Sequence, residues 1–274
     1  MVSQEQRRRQ LAREKFLRQQ QRRTSARRKA RMRNAAIASV LGVILIGSVA
    51  LYTTGVVLKD DDSKTNAGAE VSPGASAPSK APDPCDKPAD GKVKTQTWEK
   101  EPAMTIDKSA KYTMKLETTC GDIDIALKAE AAPHTVNSFD FLAGKGFFDH
   151  TKCHRLTTNG IFVLQCGDPT GQGNGGPGYN ISDENLKDKS LKDNMYPAGT
   201  VAMANTGQPN SGGSQFFLVY QNSPLPPSYT PFGTISDEGM TVLKKIAAAG
   251  ESTGAGDGAP NATVVIDKAT VAKS

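Results

Sequence analysis

The side chains best equipped for chemistry crowd into one stretch, FFDHTKCHRLTTNGIFVLQCGD at residues 147–168. It holds His150, Cys153, His154, Arg155, Gln165, Cys166 and Asp168. Two histidines around a cysteine raise the question of zinc, but the chain has no C-x-x-C pair and no further histidine at ligand spacing, so no metal is assigned. The next loop, DPTGQGNGGPGY at 168–179, is rich enough in glycine to suggest phosphate binding. It lacks a Gly-Lys-Ser/Thr ending and no apolar helix follows at once, so a mobile loop beside a site fits better. What remains is a permanently charged guanidinium with several donors in a fixed fork, close to an amide and to apolar side chains. That set can donate hydrogen bonds and hold an apolar group without a nucleophile, redox group or cofactor. Taken singly, Arg155 reads as a surface ion-pair residue, Phe162 and Phe217 as core, and Gln165, Asn205 and Gln215 as satisfied polar residues at strand ends.

The elements that must position these residues are mostly strands. Tyr112, Met114 and Leu116 alternate with polar residues, the chain turns at 118–121, and Ile123, Ile125 and Leu127 alternate again, which predicts a β-hairpin with one buried face. Pro133 opens a helix in which Val136, Phe139 and Leu142 recur at helical spacing. Short apolar runs follow at 153–156, 161–166, 200–204, 214–220, 230–235 and 263–271, and a second helix fits 238–249. Many short strands with two helices predict a mainly β domain, a closed antiparallel barrel rather than a parallel α/β fold.

Charge divides the chain. Its net +6 hides a tail at 1–34 with 13 Lys/Arg against Glu5 and Glu14, which leaves the rest net acidic. Residues 35–58 then carry no charge, and at about 1.5 Å per helical residue such a run crosses a hydrocarbon core of about 30 Å. No clear A-x-A site argues for a cleaved signal, and no cysteine directly follows the run to suggest a lipoprotein. Basic residues before the run and Asp60–Asp62 after it predict a single-pass transmembrane helix, N-terminus cytoplasmic. Residues 59–97, with Pro73, Pro78, Pro82, Pro84 and Pro88, read as a disordered linker that cannot bury enough apolar surface to fold. The globular domain is placed at 98–274. Nucleic-acid binding by the tail is not required by anything in the sequence.

The stretch 147–168, the loop 168–179, GTVAMAN (199–205), SGGSQFFLVY (211–220), YTPFG (229–233) and PHTVNSFDFL (133–142) together resemble the cyclophilin family, in the family's order and over nearly all of 112–270. The resemblance implies an eight-stranded barrel capped by two α-helices and peptidyl-prolyl cis–trans isomerase activity. It assigns Arg155 as the catalytic arginine with Gln165 beside it. Phe162, Val163, Phe217 and Leu225 are assigned to the proline pocket, Ala204 and Asn205 to a backbone clamp on the peptide, and Gln215 to the conserved Gln-Phe-Phe. Three features depart from the usual pattern. The segment between Arg155 and Gln165 is two residues longer than in common members. The rim aromatic is missing near Leu225, and Tyr229 replaces a histidine.

The family's reaction suits these residues. Twisting an X–Pro amide breaks its resonance, against a barrier of about 18–20 kcal/mol, and restores a lone pair on the prolyl nitrogen. A donor such as Arg155 that strengthens its contact only with the twisted form lowers that barrier. Proline-containing segments of exported or cell-surface proteins are the implied partners, with the domain outside the membrane. The rival reading is a proline-peptide-binding module or chaperone with little turnover. Cys85, Cys120, Cys153 and Cys166 allow three disulfide pairings. Cys153 and Cys166 flank neighbouring strands joined by a turn, which favours that pair, and Cys120 and Cys166 as unpaired buried thiols are the alternative.

Overall fold

A computed structural model describes residues 82–274. The basic tail, the run 35–58 and residues 59–81 of the expected linker lie outside the described residues. No helix among the described residues is long and apolar enough to cross a membrane.

The alternation at 112–127 gives β1 (Tyr112–Thr118) and β2 (Gly121–Leu127), an antiparallel hairpin. Tyr112, Met114, Leu116, Ile123, Ile125 and Leu127 all enter the core. Helix α1 (Pro133–Gly144) begins on a proline whose fixed φ suits a first helical turn. Its N-cap, Ala132, has no side chain to cap it. The carboxylate of Glu184 does so from a distance, accepting from the amides of His134 at 3.0 Å and Thr135 at 2.9 Å. Then come β3 (Thr151–Lys152), β4 (Arg155–Thr157), β5 (Val163–Cys166), β6 (Met195–Tyr196), β7 (Thr200–Met203), β8 (Phe216–Val219), β9 (Ser223–Pro224) and β10 (Pro231–Ile235). Helix α2 (Asp237–Ala248) is capped by Ser236, whose side chain accepts from the Gly239 amide. Two last strands, β11 (Asp257–Gly258) and β12 (Val265–Lys273), complete the chain.

The closed eight-stranded barrel does not form. Ten antiparallel strands make one sheet in the order β11-β4-β5-β8-β7-β10-β2-β1-β12-β3, and β6 pairs with β9 apart from it. Its end strands, β11 and β3, are not bonded to each other, so the sheet is open. It is nevertheless strongly curled. β3 and β4 stand at opposite ends of the order yet are separated by Cys153 and His154 alone, and three residue steps of extended chain reach only about 10 Å. Strands of two or three residues flank this seam and are too short to build a closing ladder. The chain itself makes the crossing: on one side the Cys153 amide donates to the Val264 carbonyl at 3.0 Å, extending the β3–β12 pairing, and on the other the His154 amide donates to the Gln165 carbonyl at 3.1 Å, extending β4–β5. A disulfide between Cys153 and Cys166 staples the crossing.

The central strands are apolar on both faces. On β5, β7 and β8, Leu164, Cys166, Val201, Met203, Phe216 and Leu218 belong to the main core, where Phe216 packs against Phe139 and Phe148. The alternate residues Val163, Ala202, Phe217 and Val219 form a second, smaller cluster on the opposite face. This double burial explains why the segments read as continuous apolar runs.

The end of the expected linker is ordered against the domain. Cys85 is disulfide-bonded to Cys120 beside the β1–β2 turn, and the Asp86 amide donates to the Thr119 carbonyl at 2.8 Å. Further along, Ala89 donates to Asp267, Lys94 to the Lys145 carbonyl, and the Trp98 amide to the Pro177 carbonyl at 2.8 Å. The Trp98 ring packs edge-on against Phe141. A covalent link and backbone bonds here do what the apolar-poor composition cannot. Gly178, at φ +90°, lies so close under the Trp98 carbonyl that a Cβ would reach it at 2.7 Å.

Breaking the Cys85–Cys120 link by Cys85→Ser with Cys120→Ser is expected to cost about 2–5 kcal/mol of stability. Urea unfolding of the double variant against wild type measures it.

Candidate active site

The register of the sheet lines up one row of side chains across four strands. Arg155 on β4 faces Gln165 on β5, Gln165 faces Phe217 on β8, and Phe217 faces Ala202 on β7. Val163, two residues before Gln165, lies on the same face opposite Val219. Because side chains alternate along a strand, this row stands on the face away from the main core. Loops close over it. Tyr229 sets its ring edge-on to Phe217 at 5.4 Å between centroids. The hydroxyl of buried Tyr196 donates to the Tyr229 carbonyl at 2.7 Å and accepts from the Tyr229 amide at 3.2 Å. Burial pushes the Tyr196 phenol up to about 12, so it keeps its proton.

These residues enclose a cavity of about 110 Å³ lined by Arg155, Ile161, Val163, Gln165, Ala204, Asn205, Phe217, Leu225 and Tyr229. That is far smaller than a drug-sized pocket of about 300–1,000 Å³, so only a small group enters it. Beside it runs a wider groove of about 500 Å³ that shares Gln165, Ala204 and Asn205 and adds Gln215 and the loop 173–180.

Two of the residues assigned from sequence are placed differently from the rest. Gln215 lines the groove but not the small cavity. Phe162 does not line the cavity: its ring packs edge-on to Tyr220 at 5.9 Å, and Ile161 stands in the wall instead. The turn between Arg155 and Gln165 folds back at 159–161, where the Ile161 amide donates to the Asn159 carbonyl at 2.9 Å, and Ile161 follows directly in the wall. The longer turn signalled a change here, but its direction needed the fold.

A chain of hydrogen bonds fixes the polar side of the site. Arg155 Nη1 donates to Gln165 Oε1 at 3.2 Å, Gln165 Nε2 to Gln215 Oε1 at 2.9 Å, and Gln215 Nε2 to the Gly175 carbonyl at 2.9 Å. Each amide accepts at its oxygen and passes the bond on from its nitrogen, so neither can flip without breaking two bonds. Arg155 also donates from Nε and Nη2 to Asp257, which sequence reasoning missed because 102 residues separate the pair. The bonded carboxylate raises the Arg155 pKa above its usual value, and the same bond lowers that of Asp257.

The groove wall is held by Asp168, which is fully buried. Its carboxylate accepts from the Thr170, Gln172, Gly173 and Asn174 amides and from the Thr170 hydroxyl. Desolvation pushes its pKa up, but the bonds from Thr170 and the glycine amides outweigh this and leave it lowered. The glycine-rich loop is therefore wrapped around an internal anion rather than open to a phosphate. Among the described residues no group of three His, Cys, Asp or Glu side chains could hold a metal ion. His154 lies under the loop, and burial lowers its pKa, ahead of the opposing pull of Asp168.

A family model described as cyclophilin type peptidyl-prolyl cis-trans isomerase/CLD matches residues 113–271. The chain is 47% identical over 196 residues to a probable peptidyl-prolyl cis-trans isomerase B of Mycobacterium leprae, covering 69% of this chain and 62% of that protein. The corresponding Mycobacterium tuberculosis protein is 46% identical over 198 residues, covering 69% and 60%. The chain thus spans about three fifths of the length of these relatives. A peptidyl-prolyl cis-trans isomerase of Synechococcus elongatus is 40% identical over 133 residues, covering 48% of this chain and 86% of that protein. A crystal structure of a Cryptosporidium parvum cyclophilin type isomerase aligns with a TM-score of 0.48 at 25% identity, covering 60% of this chain and 99% of that one.

Ile161→Ala, which removes apolar wall worth about 0.8 kcal/mol per buried methylene, is expected to raise KM for a proline peptide about tenfold. Phe162→Ala should leave KM within about twofold, because its ring lies outside the cavity. Steady-state kinetics on the two variants distinguishes the walls.

Proposed function

Because the chain belongs to the cyclophilin-type peptidyl-prolyl cis–trans isomerase family, we propose that its folded domain accelerates rotation about X–Pro bonds in exported or cell-surface proteins and so assists their folding. The observation that carries this reading is the cross-strand row of Arg155, Gln165, Phe217 and Ala202 beside a small cavity that has Arg155 and Gln165 on one side and apolar side chains on the other. Phe217, Val163, Ile161 and Leu225 offer the pyrrolidine ring an apolar seat. With the ring held there, the bond turns by movement of the chain on its N-terminal side.

Arg155 supplies the catalytic hydrogen bond. Of the five N–H donors of a guanidinium, three are engaged by Asp257 and Gln165, and two remain for substrate. In the planar amide the prolyl nitrogen's electron pair is delocalised and a poor acceptor. As the bond twists, the pair localises, and a donor already in place bonds it without reorganising. No covalent intermediate or proton transfer is needed. Gln165, oriented by both Arg155 and Gln215, steadies the flanking peptide, and the backbone at Ala204 and Asn205 lies along the same path. Uncatalysed isomerisation takes tens to hundreds of seconds, so proteins folding outside a membrane are natural substrates.

The protein is further proposed to be a membrane-anchored, extracytoplasmic member of the family. The arginine-rich tail, the uncharged run 35–58 and the acidic residues after it support an N-terminus in the cytoplasm. The two disulfides in residues 82–274 suit an oxidising compartment.

Arg155→Ala is expected to lower kcat/KM by about 100- to 1000-fold while the domain stays folded, if one preorganised donor is worth about 2.7–4 kcal/mol. A proline-isomerisation assay with circular dichroism checks both; near-normal turnover would sink the mechanism, and wild type that binds proline peptides without turnover would favour the binding-module alternative. For topology, protease added to cells stripped of outer layers should release the domain, whereas protection until the membrane is broken would reverse the orientation.

A further inference from the structure

The contact between Arg155 and Asp257 is more elaborately built than an ordinary surface pair. Nε donates to one carboxylate oxygen and Nη2 to the other, each at 2.8 Å, a two-pronged grip that fixes the plane of the guanidinium. Asp257 lies on β11, the outermost strand, which pairs with β4 so that Asp257 faces Thr157 and Gly258 faces Leu156. The loop carrying it is assembled around Glu251, which is only 7% exposed. Glu251 accepts from the Thr253 amide at 2.6 Å, the Thr253 hydroxyl at 2.7 Å and the Gly256 amide at 2.8 Å.

This loop is locked to the long turn at 158–160. The Thr158 amide donates to the Gly256 carbonyl at 2.9 Å. Gly256, at φ +94°, approaches so closely that a Cβ would collide with Asn159. The longer turn and the Asp257 loop therefore form one unit behind Arg155. The pair itself is exposed, with 38% of the Arg155 side chain and 55% of the Asp257 side chain accessible. Exposed pairs contribute little to folding, so stability does not account for such a support. Orientation does: a guanidinium on a long stem must otherwise be ordered at the moment of reaction, and fixing it beforehand lowers the barrier.

We propose that Asp257 is a positioning residue for isomerisation, holding Nε and Nη2 so that the uncommitted hydrogens of Arg155 face the prolyl nitrogen. This rests on Arg155 being the catalytic donor. The test measures kcat, KM and the unfolding midpoint of the full chain in detergent with a proline peptide. The variants are Arg155→Ala, Asp257→Ala, Arg155→Lys, and Arg155→Lys with Asp257→Ala. Asp257→Ala should lower kcat about tenfold, with KM within about twofold and the midpoint unchanged. In the Arg155→Lys background the same change should alter kcat less than about twofold, because an ammonium has no fork for Asp257 to grip. Wild-type kcat in Asp257→Ala alongside an inactive Arg155→Ala would overturn the positioning role alone. An equal loss in both backgrounds, or a loss matched by a lowered midpoint, would overturn it too. An active Arg155→Ala would instead remove the catalytic reading on which it stands, and the positioning role with it.

Discussion

The structure depends on how the chain crosses the seam of an open sheet. Between β3 and β4 only Cys153 and His154 are available to carry it from one end of the strand order to the other. The Cys153 amide is tied to Val264 on one side and the His154 amide to Gln165 on the other, with the Cys153–Cys166 disulfide across the step. Arg155 follows immediately and so arrives opposite Gln165. A slip of one residue would exchange faces, sending the guanidinium toward the core and Leu156 toward solvent. The register that the site needs is thus set at the crossing.

From that register, the central strands serve two purposes at once. Phe216 and Phe217 are adjacent in sequence, yet one packs against Phe139 and Phe148 in the core while the other faces the small cavity. The same division separates Leu164 from Val163 and Met203 from Ala202. A sheet apolar on both faces can support a rigid pocket wall because its other side is packed solid. The polar chain from Asp257 through Arg155, Gln165 and Gln215 to Gly175 then runs across that wall, linking two loops that meet nowhere in sequence.

The parts of this arrangement governed by local periodicity were legible in the sequence. The hairpin at 112–127 shows alternation because only one of its faces enters the core, and α1 shows its Pro133 start and its Val136, Phe139, Leu142 stripe. Arg155, Val163, Gln165, Ala204, Asn205, Phe217, Leu225 and Tyr229 were all singled out and do line one cavity. Closure was misread because a count of strands does not reveal whether the ends are long enough to pair. Ile161 lines the small cavity and Phe162 does not, a choice for which a continuous apolar run offers no period. Asp257 left no local mark, since its partner lies across the fold. Residues 82–97 looked disordered because composition weighs apolar burial and does not count a disulfide or backbone bonds made at a distance.

The ordered strap has a mechanical consequence. Chain arriving from residue 82 is joined covalently at Cys85 to Cys120, next to the turn between β1 and β2, before it reaches Trp98 and the groove wall at Pro177. A pull on the chain ahead of Cys85 therefore passes through the disulfide to the β1–β2 turn, whose strands are bonded to each other and, through β1, to β12. The twelve residues between Cys85 and Trp98, bonded to the domain at Asp86, Ala89 and Lys94, lie behind that link. The strap acts as a strain relief, like the clamp on a cable: load applied ahead of Cys85 is taken up at the disulfide before it reaches the groove wall.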